Sequence, residues 1–104
     1  MTYEKATGER WKMIPITHEL KIYREYADAI ISGEKTWELR LNDRRYAVGD
    51  IIKFIQVNDG RPIVDHPILK KEYKITYLLT PKMFNGLKDD WCIFSIKEVK
   101  KNDD

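Results

Sequence analysis

The sequence predicts a small, mainly β fold of the α+β class. It would be a barrel or half-barrel of about five strands, with one main helix after the first strand. Three observations predict it. The chain has 104 residues, the size of one domain. Several short segments alternate apolar with polar side chains, the period of a half-buried strand. One segment carries apolar residues at helical spacing. Read in order, these give β-α-β-β-β-β, and so many short strands in so small a chain suit a compact barrel whose helix plugs or flanks one opening.

Residues 1–15 are a polar lead-in ending at Pro15, with Trp11 or Met13 as points where it could be pinned to the body. The domain proper is read as residues 16–99. The first strand is 16–22, with His18, Leu20 and Ile22 on one face and Thr17, Glu19 and Lys21 on the other. Tyr23, Tyr26, Ala27, Ile30 and Ile31 form the apolar stripe of a helix that Gly33 ends. A second strand spans 35–41, and Asn42, Asp43 and Arg44 make a turn or short helical segment. Val48-Gly49-Asp50 is a further turn before a strand at 51–57. Asn58-Asp59-Gly60 signals a hairpin, and Pro62 and Pro67 reduce 61–68 to a loop or an edge. Residues 70–79 form a strand with Tyr73, Ile75, Tyr77 and Leu79 on one face. A loop at 80–90 leads to the last strand at 91–99, and residues 100–104 are read as a fraying tail.

Hydrophobic residues make up 42% of the chain, enough for a core, and charged residues 35%, so the surface is strongly polar. The net charge of +2 is low for a dedicated non-specific nucleic-acid binder. A local basic patch around Arg40, Arg44 and Arg45 remains open. Cys92 is the only cysteine, which excludes an intrachain disulfide and a cysteine-based metal cluster. No stretch approaches the roughly 20 apolar residues that span a bilayer, and no secretory signal is read at the N-terminus. The expectation is a cytoplasmic protein with neither metal nor cofactor.

The candidate chemistry lies in G-E-K-T-W-E-L-R-L-N-D-R, residues 33–44. Thr36, Glu38, Arg40 and Asn42 share one face of the second strand; Trp37, Leu39 and Leu41 share the other, which reads as the core side. Strand alternation puts Lys35 opposite Glu38 and Arg40, but its long stem follows a glycine turn and can bend to the same rim. A lysine beside a carboxylate can move protons, and the planar fork of Arg40 suits a phosphate or a base edge. The plain alternative is a structural ion pair of Glu38 with Arg40 or a nearby lysine. Asn42 and Asp43 suit a turn by their own side chains, Asp43 above all as a cap; the functional alternative is that with Arg44 they form a polar rim to the same pocket. His18 reads in isolation as a half-buried histidine bonded to a backbone carbonyl. Cys92 reads as a buried, inert thiol. Trp37, Tyr77 and Trp91 could stack on bases or simply pack in the core, and Trp91 suits a cleft mouth. Nucleotide-binding glycine loops, a nucleophile elbow and metalloprotease or zinc-deaminase patterns are missing.

The ordered set H-E-L-K-I-Y, G-E-K-T-W-E-L-R-L-N-D-R, V-G-D-I-I, I-T-Y-L-L and G-L-K…I-F-S-I-K, within residues 17–98, resembles the ASCH domain of the PUA-like superfamily. More narrowly it resembles a small bacterial and phage ASCH-like family of unknown function. The resemblance implies a small β-barrel with a helix beside it and a cleft between barrel and helix. In such domains the cleft carries a lysine and an E-x-R pair, here Lys35, Glu38 and Arg40. His18, Lys21, Asn42, Asp43 and Arg44 match the narrower motif. The ligand so implied is RNA or a nucleotide-like molecule. One branch of the family is a hydrolase that removes the acetyl group from 4-acetylcytidine, using a lysine with a threonine three residues later. Lys35 matches that lysine, but Glu38 stands where the threonine would be. Three function classes follow: an RNA- or nucleotide-binding module, a small amidohydrolase acting on an acylated nucleoside through Lys35 and Glu38, and a protein-interaction module.

Overall fold

Along Thr17–Tyr23 (β1) every second side chain is buried, so His18, Leu20 and Ile22 face the core. The computed structural model describes residues 14–100. Pinning of Trp11 or Met13 and fraying of residues 101–104 lie outside the described residues. β1 runs directly into helix α1, Arg24–Ser32. Gly33 closes α1 in the left-handed conformation (φ 86°), its N–H donating to Ile30 O at 3.1 Å. The helix buries only Ala27 and Ile30, leaving Tyr23, Tyr26 and Ile31 exposed. The apolar stripe is therefore narrower than its spacing predicts.

The remaining strands are β2 (Trp37–Leu41), β3 (Ile51–Asn58), β4 (Pro62–Ile63), β5 (Glu72–Leu79) and β6 (Trp91–Glu98). One sheet contains them all in the order β1-β3-β5-β6-β2, with the two-residue β4 beside β3. β1 and β3 are parallel and the other pairs antiparallel. The architecture is a mainly β, curled half-barrel with one α-helix among the described residues. The segment at 67–70, expected to open or precede a strand, is instead a 3₁₀ turn, Pro67–Lys70. His66 caps it: Nδ1 accepts the Ile68 N–H at 3.1 Å, so Nε2 carries the proton and donates to Asp28 of α1 at 2.7 Å.

One predicted face is inverted and a second changes side midway. On β2, Trp37, Leu39 and Leu41 are 45%, 48% and 45% exposed, while Glu38 is buried. Register explains it: Glu38 lies opposite Phe94 and Arg40 opposite Cys92, both core residues. On β5, Tyr73 and Ile75 are buried but Tyr77 is exposed. The register with β6 shifts between Ile75 and Tyr77, so Thr76 is an extra residue that flips the strand beyond it and turns Leu78 inward.

The core gathers Leu20, Ile52, Phe54, Ile68, Ile75 and Phe94 with the rings of Tyr46 and Tyr73 and the thiol of Cys92. Burial raises Tyr46 and Tyr73 from 10.0 to about 12 and Cys92 from 9.0 to about 11, with nearby acidic groups adding to each shift. Arg40 and Arg44 partly oppose the rise at Tyr46. These groups stay protonated in the fold at pH values where the unfolded chain ionises. Stability is thus fully present below pH 9 and should fall as pH rises, first through Cys92 and then, above pH 10, through the tyrosines. Urea melts at pH 8, 10 and 11 check this; equal midpoints at all three would refute it.

Candidate functional site

The sheet order leaves β1 and β2 at its two ends, and curling brings them together. No backbone ladder joins these edges; arginines bridge them. Arg40 Nη2 donates to Lys21 O and Arg44 Nη1 to Glu19 O, each at 2.8 Å. Glu19 and Lys21 alternate along β1, so both carbonyls face away from β3 toward the seam. Two guanidinium forks therefore satisfy edge carbonyls that would otherwise face solvent or another chain.

Beside this seam lies a cleft of about 460 Å³, bounded by the end of β1, the start of α1, β2 and Asn58 at the end of β3. Lys35, Glu38 and Arg40 converge in it. Lys35 Nζ contacts Glu38 Oε2 and donates to Trp37 O at 2.6 Å. Arg40 holds the other carboxylate oxygen through Nε at 3.0 Å and Nη2 at 2.8 Å. Alternation alone puts Lys35 on the wrong face. The turn after Gly33, pinned by Lys35 N–H to Ala29 O at 3.0 Å, lets the stem fold back over the strand start. The ammonium also lies 4.8 Å from the Trp37 ring centroid and 5.5 Å from that of Tyr26. Tyr23, Tyr26 and Trp37 thus give the cleft aromatic walls.

Charge accounting defines what this cleft can take. Both Glu38 oxygens are already held by cations, so the triad carries a net positive charge. Lys35 has three hydrogens and two acceptors; Arg40 has five, and its Nη1 pair has no acceptor among the described residues. The unspent valence is donor valence, suited to an anion or a hydrogen-bond acceptor.

The other candidate residues are placed differently. Lys21 lines the cleft. Arg44 is one step along the seam. Asn42 is a turn cap, its Oδ1 accepting the Tyr46 N–H at 3.2 Å, and Asp43 is exposed with Arg44 Nε 4.0 Å away. His18 is buried away from the cleft, with its ring 4.7 Å from that of Tyr46. Its partner is not a backbone carbonyl, as the isolated strand implies, but the Asp50 carboxylate at 2.8 Å. The fully buried Asp50 also accepts the N–H groups of Ile16 at 3.1 Å and Ala47 at 3.0 Å. Cleft residues missed by the sequence reading are Ile22, Tyr23, Tyr26, Leu39 and Asn58. The tyrosines looked like helix core; their available signal was the density of rings flanking the K-x-x-E-x-R strand. Among the described residues no group of three or more histidine, cysteine or acidic side chains could hold a metal ion, and no helix is long and apolar enough to cross a membrane.

A half-barrel whose arginine-bridged seam opens beside a cationic, aromatic-walled cleft defines the class of this domain. Residues 17–96 match a family described as a domain of unknown function (DUF3850), and the chain belongs to that family. No curated protein matches it.

Proposed function

We propose that the chain is an ASCH domain of the PUA-like superfamily, a cytoplasmic bacterial or phage module that binds RNA or a nucleotide-like ligand in the seam cleft. The observation that carries this reading is the convergence of Lys35, Glu38 and Arg40 between Tyr23, Tyr26 and Trp37. The aromatic rings offer stacking faces for a base. The free donors of Arg40 and Lys35, with Lys21 at the rim, suit phosphate. The cleft volume of about 460 Å³ lies in the range of small-ligand sites.

Titrating short single-stranded RNA into the isotope-labelled protein tests the proposal through backbone amide shifts. Saturable shifts at residues 18–21 and 35–44 are expected at low salt, weakening as salt rises. Arg40→Lys, which loses the planar fork, should weaken binding by about tenfold. An absence of shifts at low salt would reject RNA as the ligand. A second reading rests on the direct Lys35–Glu38 contact, a proton-transfer pair for an amidohydrolase acting on an acylated nucleoside. Acylated nucleosides in the same titration separate the two, because turnover in the wild type that Lys35→Ala abolishes belongs only to the hydrolase.

A further inference from the structure

The β3 side of the cleft ends in a pair of carboxamides, Gln56 and Asn58. The register of β1 on β3 shifts after Leu20, so Lys21 pairs with Gln56, Ile22 with Val57 and Tyr23 with Asn58. Ile22 and Val57 are buried, which puts the pairs on either side of them on the other face, with Tyr23 beside Asn58. Gln56 Nε2 donates to Asn58 Oδ1 at 2.7 Å. Asn58 lines the cleft; Gln56 is not among the lining residues. A carboxamide has an acceptor end and a donor end. Here Gln56 holds the acceptor end, and Asn58 Nδ2 has no acceptor among the described residues. The cleft therefore has a neutral, oriented donor in addition to the cations of Lys35 and Arg40.

We propose that Asn58 reads the base of the bound nucleotide and selects uracil over cytosine, with Gln56 positioning its amide; the inference rests on the nucleotide-binding reading of the cleft. Phosphate held by Lys21 of β1 and Arg40 of β2 leaves the base for the β3 side, where the Tyr23 ring stands beside Asn58. Uracil and cytosine have the same ring shape and the same stacking surface. They differ at the exocyclic group, a carbonyl in uracil and an amine in cytosine. Asn58 Nδ2 donates to the uracil carbonyl, but against the cytosine amine it sets donor on donor and leaves both unpaired. The choice depends on the amide facing one way, because its oxygen would serve the cytosine amine equally well. Turning it over would bring Nδ2 against Gln56 Nε2, so Gln56 holds the donor end toward the ligand.

Titrating the full chain with oligouridylate and oligocytidylate of equal length tests the proposal. The two probes carry the same phosphate charge, so the ratio of their affinities reports the base alone. Oligouridylate is expected to bind at least about tenfold tighter. Asn58→Asp replaces the donor with an acceptor and should turn the preference toward oligocytidylate. Gln56→Glu, outside the cleft, accepts from Asn58 Nδ2, turns the amide over and should shift the ratio the same way. A purely structural role for Gln56 would weaken both probes alike and leave the ratio in place. Circular dichroism checks that each variant is folded, and should Asn58→Asp fail to fold, Gln56→Glu carries the test. Equal affinities in the wild type, or a preference for oligocytidylate, overturn the selection of uracil and leave nucleotide binding standing. A ratio unchanged in folded Asn58→Asp overturns the reading of the base by Asn58, and one unchanged in folded Gln56→Glu overturns the positioning. Binding of neither probe overturns the inference together with the reading it rests on.

Discussion

Glu38→Ala should lower stability by about 2–3 kcal/mol, and the melting temperature by more than about 10 °C. The carboxylate is buried between Lys35 and Arg40 and neutralises one of two cations that are themselves largely covered. Removing one member of a fully buried pair costs about 3–5 kcal/mol, because the charge left behind has no partner. Here the side chains of Lys35 and Arg40 are 13% and 23% exposed, so each can turn partly to water, which brings the loss below that range, to about 2–3 kcal/mol. Glu38→Gln keeps an acceptor for one cation but loses the charge, and should fall between alanine and wild type. The control is Glu98→Ala, which removes the half-exposed partner of Lys71 and should cost less than about 1 kcal/mol. Urea melts of the three variants decide it. Equal losses for Glu38→Ala and Glu98→Ala would mean the triad adds nothing to the fold. On the proposed binding reading, ligand affinity should fall as well, because Glu38 fixes the direction in which the Lys35 and Arg40 donors point.

The way Glu38 sits explains how far the sequence can be read. Period-two alternation locates β1, β3 and β6, and on β1 it also gives the correct inner face, because His18, Leu20 and Ile22 are all buried. The same rule fails on β2, where it sends Trp37, Leu39 and Leu41 inward. Hydrophobicity assigns faces only when no other force competes. Here Glu38 brings its own compensation, one cation two residues on and another folded back from the glycine turn, so an acidic side chain can be buried at tolerable cost. On β5 the failure is geometric: Thr76 adds one residue between Ile75 and Tyr77 and reverses every face after it, and local composition carries no mark of that shift. The meeting of Lys35, Glu38 and Arg40 was legible because their charges are close in sequence. The contribution of Tyr23, Tyr26 and Asn58 was not legible, because it depends on sheet order, which brings β1 and the helix after it round to β2 only after three intervening strands have paired. Asp50 was invisible for the same reason. It reads as the last residue of a turn, and its histidine partner is 32 residues away.

Asp50 gives the second large expected effect: Asp50→Ala should cost about 3–5 kcal/mol, a large share of the 5–15 kcal/mol that holds a domain of this size. The carboxylate is fully buried and accepts from Ile16 N–H, Ala47 N–H and His18 Nε2, so its loss strands three donors at once. Asp50→Asn is nearly isosteric, yet its amide group would set donors against donors on one side and should cost most of the same amount. A double-mutant cycle with His18→Ala should return a coupling above about 1 kcal/mol, since each partner satisfies the other. Asp50→Asn within about 1 kcal/mol of wild type in urea would sink the argument. The effect should also reach the cleft, although Asp50 does not line it. Asp50 ties the start of β1 to the turn before β3, where Thr17 pairs with Ile51. The other edge of β1 supplies the carbonyls of Glu19 and Lys21 that hold Arg44 and Arg40. Loosening β1 at its anchored end therefore frees the seam at its bridged edge. In hydrogen exchange, Asp50→Asn should lose protection along β1 and β3 before β5 and β6, and on the proposed RNA-binding reading the shifts at residues 35–44 should weaken with it.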